Sequence, residues 1–233
     1  MTKPERKEFD RGPRSHYFTK DDTPAVAEKA FSFAFKGHRF TFDTGPGVFS
    51  KEKVDTGSRI LLQEFFKNEQ PATGARFLDL GCGYGFIGIV LAGIIEGANV
   101  DFIEINAKAA KFAEKNATNN GIGNARVYAI DFTDDAQRRQ ATIGGLYDYI
   151  LFNPPVKAGK QAMCVLINTA LSCVKDGGAL YLVMRTSLGA KSWQANFEAR
   201  EDITLDVFRE SGYRVFKLAL KPKNDAVAVD NAR

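Results

Sequence analysis

The stretch FLDLGCGYGFIG, residues 77–88, decides the fold class of this chain of 233 residues. A strand-like apolar pattern runs into a glycine-rich turn and then directly into a helix-like apolar pattern. Glycines at such a turn let the backbone approach a ligand at the start of the helix. Gly83, Gly85 and Gly88 match the G-x-G-x-x-G spacing of dinucleotide-binding sites. Many folds use glycines in this way, so the spacing alone leaves the ligand open.

Strand and helix patterns alternate on both sides of this turn. We predict strands in ARFLDL, ANVDFIEI, ARVYAI, YDYILF and GALYLVMR, with helices near residues 86–96, 107–120 and 160–175. Such alternation is typical of a parallel sheet with crossover helices. The last segments, ITLDVF and GYRVFKLAL, predict an antiparallel hairpin. The sequence therefore predicts an α/β, Rossmann-like fold with a mainly parallel seven-stranded sheet and an antiparallel last strand.

The composition excludes several classes of protein. Hydrophobic residues make up 44% and charged residues 26% of the chain, as in ordinary globular proteins. The run FIGIVLAGII, residues 86–95, is about half as long as a membrane span requires, and the N-terminus has no apolar signal region, so we expect a cytoplasmic protein. Three cysteines without a CxxC pair predict neither a disulfide framework nor a metal site. The net charge of +4 permits a nucleic-acid partner without requiring one.

Three acidic residues end predicted strands. Asp79 stands two residues before Gly81 and places a carboxylate where a cationic amino-acid group would be met. A dinucleotide would instead need the start of the helix free for its pyrophosphate. Glu104 can accept hydrogen bonds from two ribose hydroxyls, and Asp131 can accept from an adenine amino group. The pattern therefore favours S-adenosylmethionine, which has no phosphate, over a nicotinamide cofactor.

The segment LFNPPVKAGK, residues 151–160, ends a predicted strand with Asn153, Pro154 and Pro155. Proline cannot donate to a sheet, and two in succession stiffen the loop. The Asn153 side-chain oxygen and the Pro154 carbonyl could accept the hydrogens of an exocyclic amine and stabilise the positive charge that develops on its nitrogen. These three residues are the predicted catalytic group for methyl transfer to an amine.

The motifs DLGCGYGFIGI, FIEIN, AIDF and NPPVKAGK resemble the ordered motifs of class I S-adenosylmethionine-dependent methyltransferases. NPPVKAGK, together with the upstream GVFSKEKVDTGSRILL, is similar to the short single-domain form of the bacterial small-subunit ribosomal RNA guanine-N2 methyltransferase family. The resemblance covers roughly residues 17–221. It implies guanine N2 as the methylated group and ribosomal RNA or the small ribosomal subunit as the partner.

The resemblance also implies roles for individual residues. The methionine end of the cofactor would be held by Asp79, Gly81 and Gly83, its ribose by Glu104 and its adenine by Asp131; the predicted cofactor site also includes Cys82, Ile105, Phe132 and Asn153.

Candidate substrate residues lie near the proline loop and in the loop at residues 45–50. Val156 stands where adenine-N6 and glutamine-N5 enzymes usually have an aromatic residue, which favours a guanine acceptor. Lys157 and Lys160 are candidate phosphate contacts. Phe49 belongs to a glycine-rich loop that would close over the cofactor or the base.

We expect four segments: a flexible basic arm (1–20), an N-terminal hairpin and loop appendage (21–53), the methyltransferase domain (54–221) and a frayed tail (222–233). The hairpin prediction depends on the phenylalanines that alternate on both sides of Lys36 and Gly37.

Other functions remain open at this stage. They are methylation of adenine N6 or of a protein or small-molecule amine, an NAD-dependent oxidoreductase, and a non-catalytic RNA-binding factor in ribosome assembly.

Overall fold

The structure is a computed structural model that describes residues 29–45, 54–142, 144–155 and 159–222. The strands and helices of these residues are, in chain order, β1 (Lys29–Phe35), β2 (His38–Thr44), α1 (Thr56–Asn68), β3 (Arg76–Leu80), α2 (Phe86–Ile94), β4 (Asn99–Glu104), α3 (Ala107–Asn119), β5 (Ala125–Ala129), α4 (Asp135–Thr142), β6 (Tyr147–Phe152), α5 (Lys160–Leu171), β7 (Val174–Arg185), α6 (Ala190–Glu198), β8 (Ile203–Glu210) and β9 (Tyr213–Leu220). Within the described residues, no helix has the length and apolar character of a membrane span.

The main sheet has seven strands in the order β5-β4-β3-β6-β7-β9-β8. The pairs from β5 to β7 are parallel, whereas β9 is antiparallel to both β7 and β8. The predicted fold class is therefore confirmed. The strand order reverses between β3 and β6, and in open sheets ligands bind beyond the carboxyl ends of the strands at such a point.

Alternate strand residues pack against helices on opposite faces of the sheet, as the two-residue period of a strand requires. Phe77, Leu151 and Tyr181 belong to the core formed with α1, α2 and α3. Leu78 and Ile150 belong to the second core, formed with α4, α5 and α6. The central strands are buried on both faces, so the positions of their carboxyl ends are fixed.

The predicted N-terminal hairpin is present and is docked onto the sheet domain through α3. Phe31 pairs with Phe42 across the two strands, and Phe42 is fully buried. Asn116 of α3 accepts a hydrogen bond from the Asp43 backbone N–H at 2.7 Å and donates to the Asp43 carbonyl at 2.9 Å. Asn120, one helical turn further on, makes the same pair of bonds with Thr41. The two amides thus satisfy the free backbone edge of β2.

Helices α4 and α6 were not predicted, and the end of α5 differs from the prediction. α4 has almost no apolar residues, and α6 buries only Ala190 and Phe197, so neither carries a clear apolar stripe. α5 ends at Leu171 instead of residue 175, because Val174 already pairs with Tyr147 as the start of β7. The predicted basic arm at 1–20, the loop at 46–53 and the tail from 223 lie outside the described residues.

Candidate active site

A cavity of about 380 Å³ lies at the carboxyl ends of β3, β4, β5 and β6. This volume falls within the roughly 300–1,000 Å³ of small-molecule sites. The lining comes from the start of α1 (Asp55, Ser58), the glycine-rich turn (Leu80–Ile87 except Gly85), the end of β4 (Ile103–Asn106) with Ala109, the end of β5 (Ile130–Thr133), the end of β6 (Phe152–Pro155) and one side of α5 (Ala162, Val165, Leu166). The wall is mostly apolar and carries a few convergent polar groups, which is the usual composition of a ligand site.

The glycine-rich turn brings main chain to the cavity wall. Gly81, Gly83 and Gly85 have φ values of 66°, 58° and 88°, in the left-handed region where a side chain is strained. The backbone N–H groups of Gly81 and Cys82 both donate to the Ile103 carbonyl, at 2.8 and 3.0 Å. These bonds tie the turn to the end of β4.

Asp79 lies beneath the turn and is not part of the cavity lining. Its Oδ2 accepts a hydrogen bond from the Gly88 N–H, in the first turn of α2, at 2.8 Å. Its Oδ1 is buried and has no partner in the described part of the chain. Burial raises the pKa of this carboxyl to about 7. The start of α2 is therefore capped by a carboxylate, where a dinucleotide would place its pyrophosphate.

Glu104 lies in the cavity wall and is fixed by backbone donors. Its Oε2 accepts from the Gly83 N–H and its Oε1 from the Asn106 N–H, both at 2.9 Å. Burial raises the pKa of the Glu104 carboxyl, although these backbone hydrogen bonds lower it. Each carboxylate oxygen can accept more than one hydrogen bond, so a diol in the cavity would still find acceptors here.

Asp131 and its neighbours form the next part of the wall, at the end of β5. The Asp131 Oδ1 accepts from the Thr133 N–H at 2.9 Å and from the Thr133 hydroxyl at 2.7 Å. Its Oδ2 has no hydrogen-bond partner among the described residues. Ile105 and Phe132 add apolar side chains to the same part of the cavity. A carboxylate acceptor beside apolar side chains suits a flat ring that carries an amino group.

Asn153 follows the last residue of β6. It lies beside the start of the glycine-rich turn, because Leu80 and Phe152 pair on neighbouring parallel strands. Its Nδ2 donates to the Asp55 Oδ2 and to the Ser58 Oγ, both at 2.8 Å. Both amide hydrogens are thus used, and Oδ1 accepts no hydrogen bond from the residues that the structure describes. Pro154 and Pro155 continue the same wall of the cavity.

Most of the predicted site residues meet in this one cavity. Its lining includes Gly81, Cys82, Gly83, Glu104, Ile105, Asp131, Phe132, Asn153, Pro154 and Pro155. Lys160 is exposed at the start of α5 and does not line the cavity. Phe49, Val156 and Lys157 lie outside the described residues. No group of three or more potential metal ligands occurs in the described ranges.

Sequence reasoning missed Asp55, Ser58 and the apolar side of α5. Asp55 and Ser58 belong to the segment GVFSKEKVDTGSRILL, which carries the family resemblance, but their spacing at the start of α1 is that of a helix cap and assigned them no role in the site. The α5 residues Ala162, Val165 and Leu166 carry no motif, and only the fold brings them to the cavity.

The strand order, the glycine-rich turn and the acids at successive strand ends define a class I methyltransferase. The methyltransferase small domain family model matches residues 39–217. The chain belongs to this family and is an S-adenosylmethionine-dependent methyltransferase.

Individual relatives are similar over different lengths. The chain is 32% identical to the uncharacterised protein YbxB of Bacillus subtilis, over 87% of this chain and 96% of that protein. It is 34% identical to the ribosomal RNA small subunit methyltransferase C of Hahella chejuensis, over 74% of this chain and 47% of the relative. A solved structure of the T. thermophilus 16S rRNA N2 methyltransferase RsmC, in complex with AdoMet and guanosine, matches with 27% identity and a TM-score of 0.67, over 83% of this chain and 50% of that chain. The chain thus spans about half the length of the methyltransferase C relatives.

Proposed function

We propose that this protein transfers a methyl group from S-adenosylmethionine to the exocyclic N2 amine of a guanine in ribosomal RNA. The observation that carries the proposal is the arrangement of Asn153. Its amide hydrogens are held by Asp55 and Ser58, its oxygen accepts no hydrogen bond from the described residues, and the residue lines the same cavity as Glu104 and Asp131. A hydrogen-bond acceptor for an amine thus lies beside acceptors suited to an adenosyl group.

The cavity residues fit S-adenosylmethionine, which supplies, when bound, a methyl group on a positively charged sulfur. Glu104 retains lone pairs for the ribose hydroxyls, and Asp131 has an oxygen without a partner among the described residues for the adenine amino group. The turn from Gly81 to Gly83 would hold the methionine end. Asp79 acts from beneath this turn, where its unpaired buried oxygen favours positive charge above it.

The chain's own contribution to catalysis is to position and polarise the acceptor. The Asn153 Oδ1 and the Pro154 carbonyl each accept a hydrogen bond from one N–H group of the amine. These two acceptors stabilise the positive charge that develops on the nitrogen. The prolines at 154 and 155 hold these acceptors in place before the substrate binds. Afterwards the nitrogen releases its proton to solvent, so no side-chain base is required.

Ribosomal RNA is proposed as substrate because of the family's named relatives and the guanosine in the T. thermophilus structure. A guanine in structured RNA must leave its stack to reach the cavity, at a cost of a few kcal/mol. Phe49, Val156, Lys157 and Lys160 remain candidates for contacts to this nucleotide and its phosphates, and a cytoplasmic location follows from such a substrate. Residues 1–20, 21–53 and 222–233 remain proposed as a basic arm, a hairpin with its loop, and a tail.

The test is mass spectrometry of nucleosides from small-subunit ribosomal RNA of cells with and without the gene. We expect loss of N2-methylguanosine at one position and its return when the wild-type gene is restored. Loss of N6-methyladenosine, or methylation of a protein, would instead identify another amine. An unchanged profile, together with an RNA-assembly defect that a catalytically inactive variant repairs, would identify a non-catalytic factor.

Calorimetry separates the proposed function from an oxidoreductase. S-adenosylhomocysteine should bind to the purified protein, and NAD(H) should not. The Gly88 N–H at the start of α2 already donates to Asp79, so it is not available to a pyrophosphate. Binding of NAD(H) without binding of S-adenosylhomocysteine would contradict the proposed function.

A further inference from the structure

The direction in which the Asn153 amide points is set by the first turn of α1. The Asp55 carboxylate can only accept hydrogen bonds, and its Oδ2 lies 2.8 Å from the Asn153 Nδ2. A reversed amide would place the Asn153 oxygen against this carboxylate, so two acceptors would face each other at hydrogen-bond distance. The Ser58 Oγ takes the second amide hydrogen at 2.8 Å.

The two acceptors are themselves fixed. Asp55 is the N-cap of α1, and its Oδ2 also accepts from the Ser58 N–H at 2.9 Å. Ser58 is buried, and Ile60, Leu61 and Phe65 anchor the helix in the core. The Asn153 amide is therefore held by a rigid element that lies more than ninety positions away in the sequence.

The first turn of α1 approaches the pair closely at Gly57. A Cβ at Gly57 would lie 3.0 Å from the Asp55 Oδ2 and 3.5 Å from the Asn153 Nδ2. The same atom would lie 3.4 Å from the Tyr213 ring. A side chain at position 57 would therefore crowd the contact between Asp55 and Asn153.

We infer that Asp55 and Ser58 are positioning residues that make Asn153 present its oxygen, and not its NH₂ group, to the acceptor nitrogen. The same contact determines which residue type fits at position 153. The carboxylate at position 55 makes an amide the group that fits there, because an acid would place two carboxylates side by side. This role rests on the proposed function, since it concerns how the acceptor nitrogen is held.

An exchange of the two groups tests the inference. In N153D the new carboxylate meets that of Asp55, and we expect kcat to fall about 100-fold. In D55N the new amide can still accept from the Asn153 Nδ2 and still cap the helix, so kcat should fall only a few-fold. In D55N/N153D the amide NH₂ at position 55 donates to the carboxylate at position 153 and gives up the bond from the Ser58 N–H, and the second oxygen of that carboxylate is left to accept from the amine. The double variant should regain about tenfold in kcat over N153D.

Two readouts separate positioning from a structural role. The affinity for S-adenosylhomocysteine should stay within about twofold of wild type in the three variants, because Glu104 and Asp131, the residues proposed to hold its ribose and adenine, are unchanged. The matched control is D134N. Asp134 accepts hydrogen bonds from the N–H groups of Ala136 and Gln137 and so caps α4, and it does not line the cavity. D134N should leave kcat unchanged. A double variant no more active than N153D, or an N153D as active as wild type, would overturn the inference.

A measurement without turnover keeps the inference separate from the proposed function. In ¹⁵N-labelled wild-type protein, both side-chain amide protons of Asn153 should exchange slowly with solvent, and S58A should release one of them. Slow exchange together with an inactive wild-type protein would contradict the proposed function and leave the amide orientation intact. Fast exchange of both protons in the wild-type protein would overturn the orientation itself.

Discussion

The Asp79 carboxylate accepts a hydrogen bond from the backbone N–H of Gly88 at 2.8 Å, so the acid near the end of β3 caps the helix that follows the strand. A negative charge at a helix N-terminus is favourable. Full burial opposes the charge and raises the pKa of the Asp79 carboxyl from 3.8 to about 7. One carboxyl group thus occupies the place of a pyrophosphate, and in its ionised form it contributes negative potential beneath the glycine-rich turn.

This raised pKa predicts a pH dependence of stability. Between pH 3.8 and about 7 the folded protein binds a proton at Asp79 that the unfolded chain releases, so this group's contribution to the free energy of unfolding falls as the pH rises through this window. D79N removes that contribution, which is on the order of a few kcal/mol, and keeps an acceptor for the Gly88 N–H. Urea unfolding at a series of pH values should give a flatter profile for D79N than for wild type. Parallel profiles would show that Asp79 does not titrate in this range.

The close packing of α2 on β4 predicts the effect of a single methyl group. A Cβ at Gly88 would lie 2.3 Å from the Phe102 Cε1, in the core. We expect G88A to lower the free energy of unfolding by about 1–3 kcal/mol, as overpacked cores do. G123A is the matched control, because a Cβ there meets no atom within 4 Å. Equal stabilities of the two variants in urea would contradict this packing.

Asn116 connects the N-terminal hairpin to the glycine-rich turn. Besides its two bonds to the Asp43 backbone, its Nδ2 donates to the Tyr84 carbonyl at 2.9 Å, and the side chain is fully buried. N116A leaves these backbone groups without their partner and should lower the free energy of unfolding by about 2–4 kcal/mol. N119A, in the next turn, removes only a long 3.4 Å bond to the Asp43 carboxylate. It should change the free energy of unfolding by less than about 0.5 kcal/mol in the same denaturation experiment.

The Glu104 carboxylate predicts a specific loss of cofactor affinity. In E104Q the amide NH₂ must face one of the two backbone donors, Gly83 N–H or Asn106 N–H, and one of these bonds is lost. We expect the affinity for S-adenosylhomocysteine to fall about tenfold or more by calorimetry. E114Q, exposed on α3, should bind like wild type. Unchanged binding by E104Q would remove Glu104 from the cofactor site.

The sequence predicted the sheet and most of the cavity because each motif follows a strongly apolar strand. Gly81, Glu104, Asp131 and Asn153 all stand where a strand ends, and parallel strands bring their carboxyl ends to one edge. The position of Asp79 beneath the turn was not predictable, because the motif does not show which backbone N–H donates a hydrogen bond to its carboxylate.

The partners of Asn153 were not predictable either. Asp55 and Ser58 lie 98 and 95 residues away from it, and their spacing at the start of a helix is that of an ordinary cap. α4 was missed for a related reason: its stability comes from the Asp134 cap and from packing of Ala141, and not from an apolar stripe that a periodic pattern would show.

Methyl transfer by the wild-type protein and N153A is the most direct test of the proposed chemistry. The two proteins would be incubated with methyl-labelled S-adenosylmethionine and small-subunit ribosomal RNA, free and in assembled subunits, and the RNA would then be digested to nucleosides. We expect label in N2-methylguanosine with wild type and a rate about 100-fold lower with N153A, whose affinity for S-adenosylhomocysteine stays within about twofold. An N153A protein that methylates guanine at the wild-type rate would contradict the central role of the Asn153 oxygen.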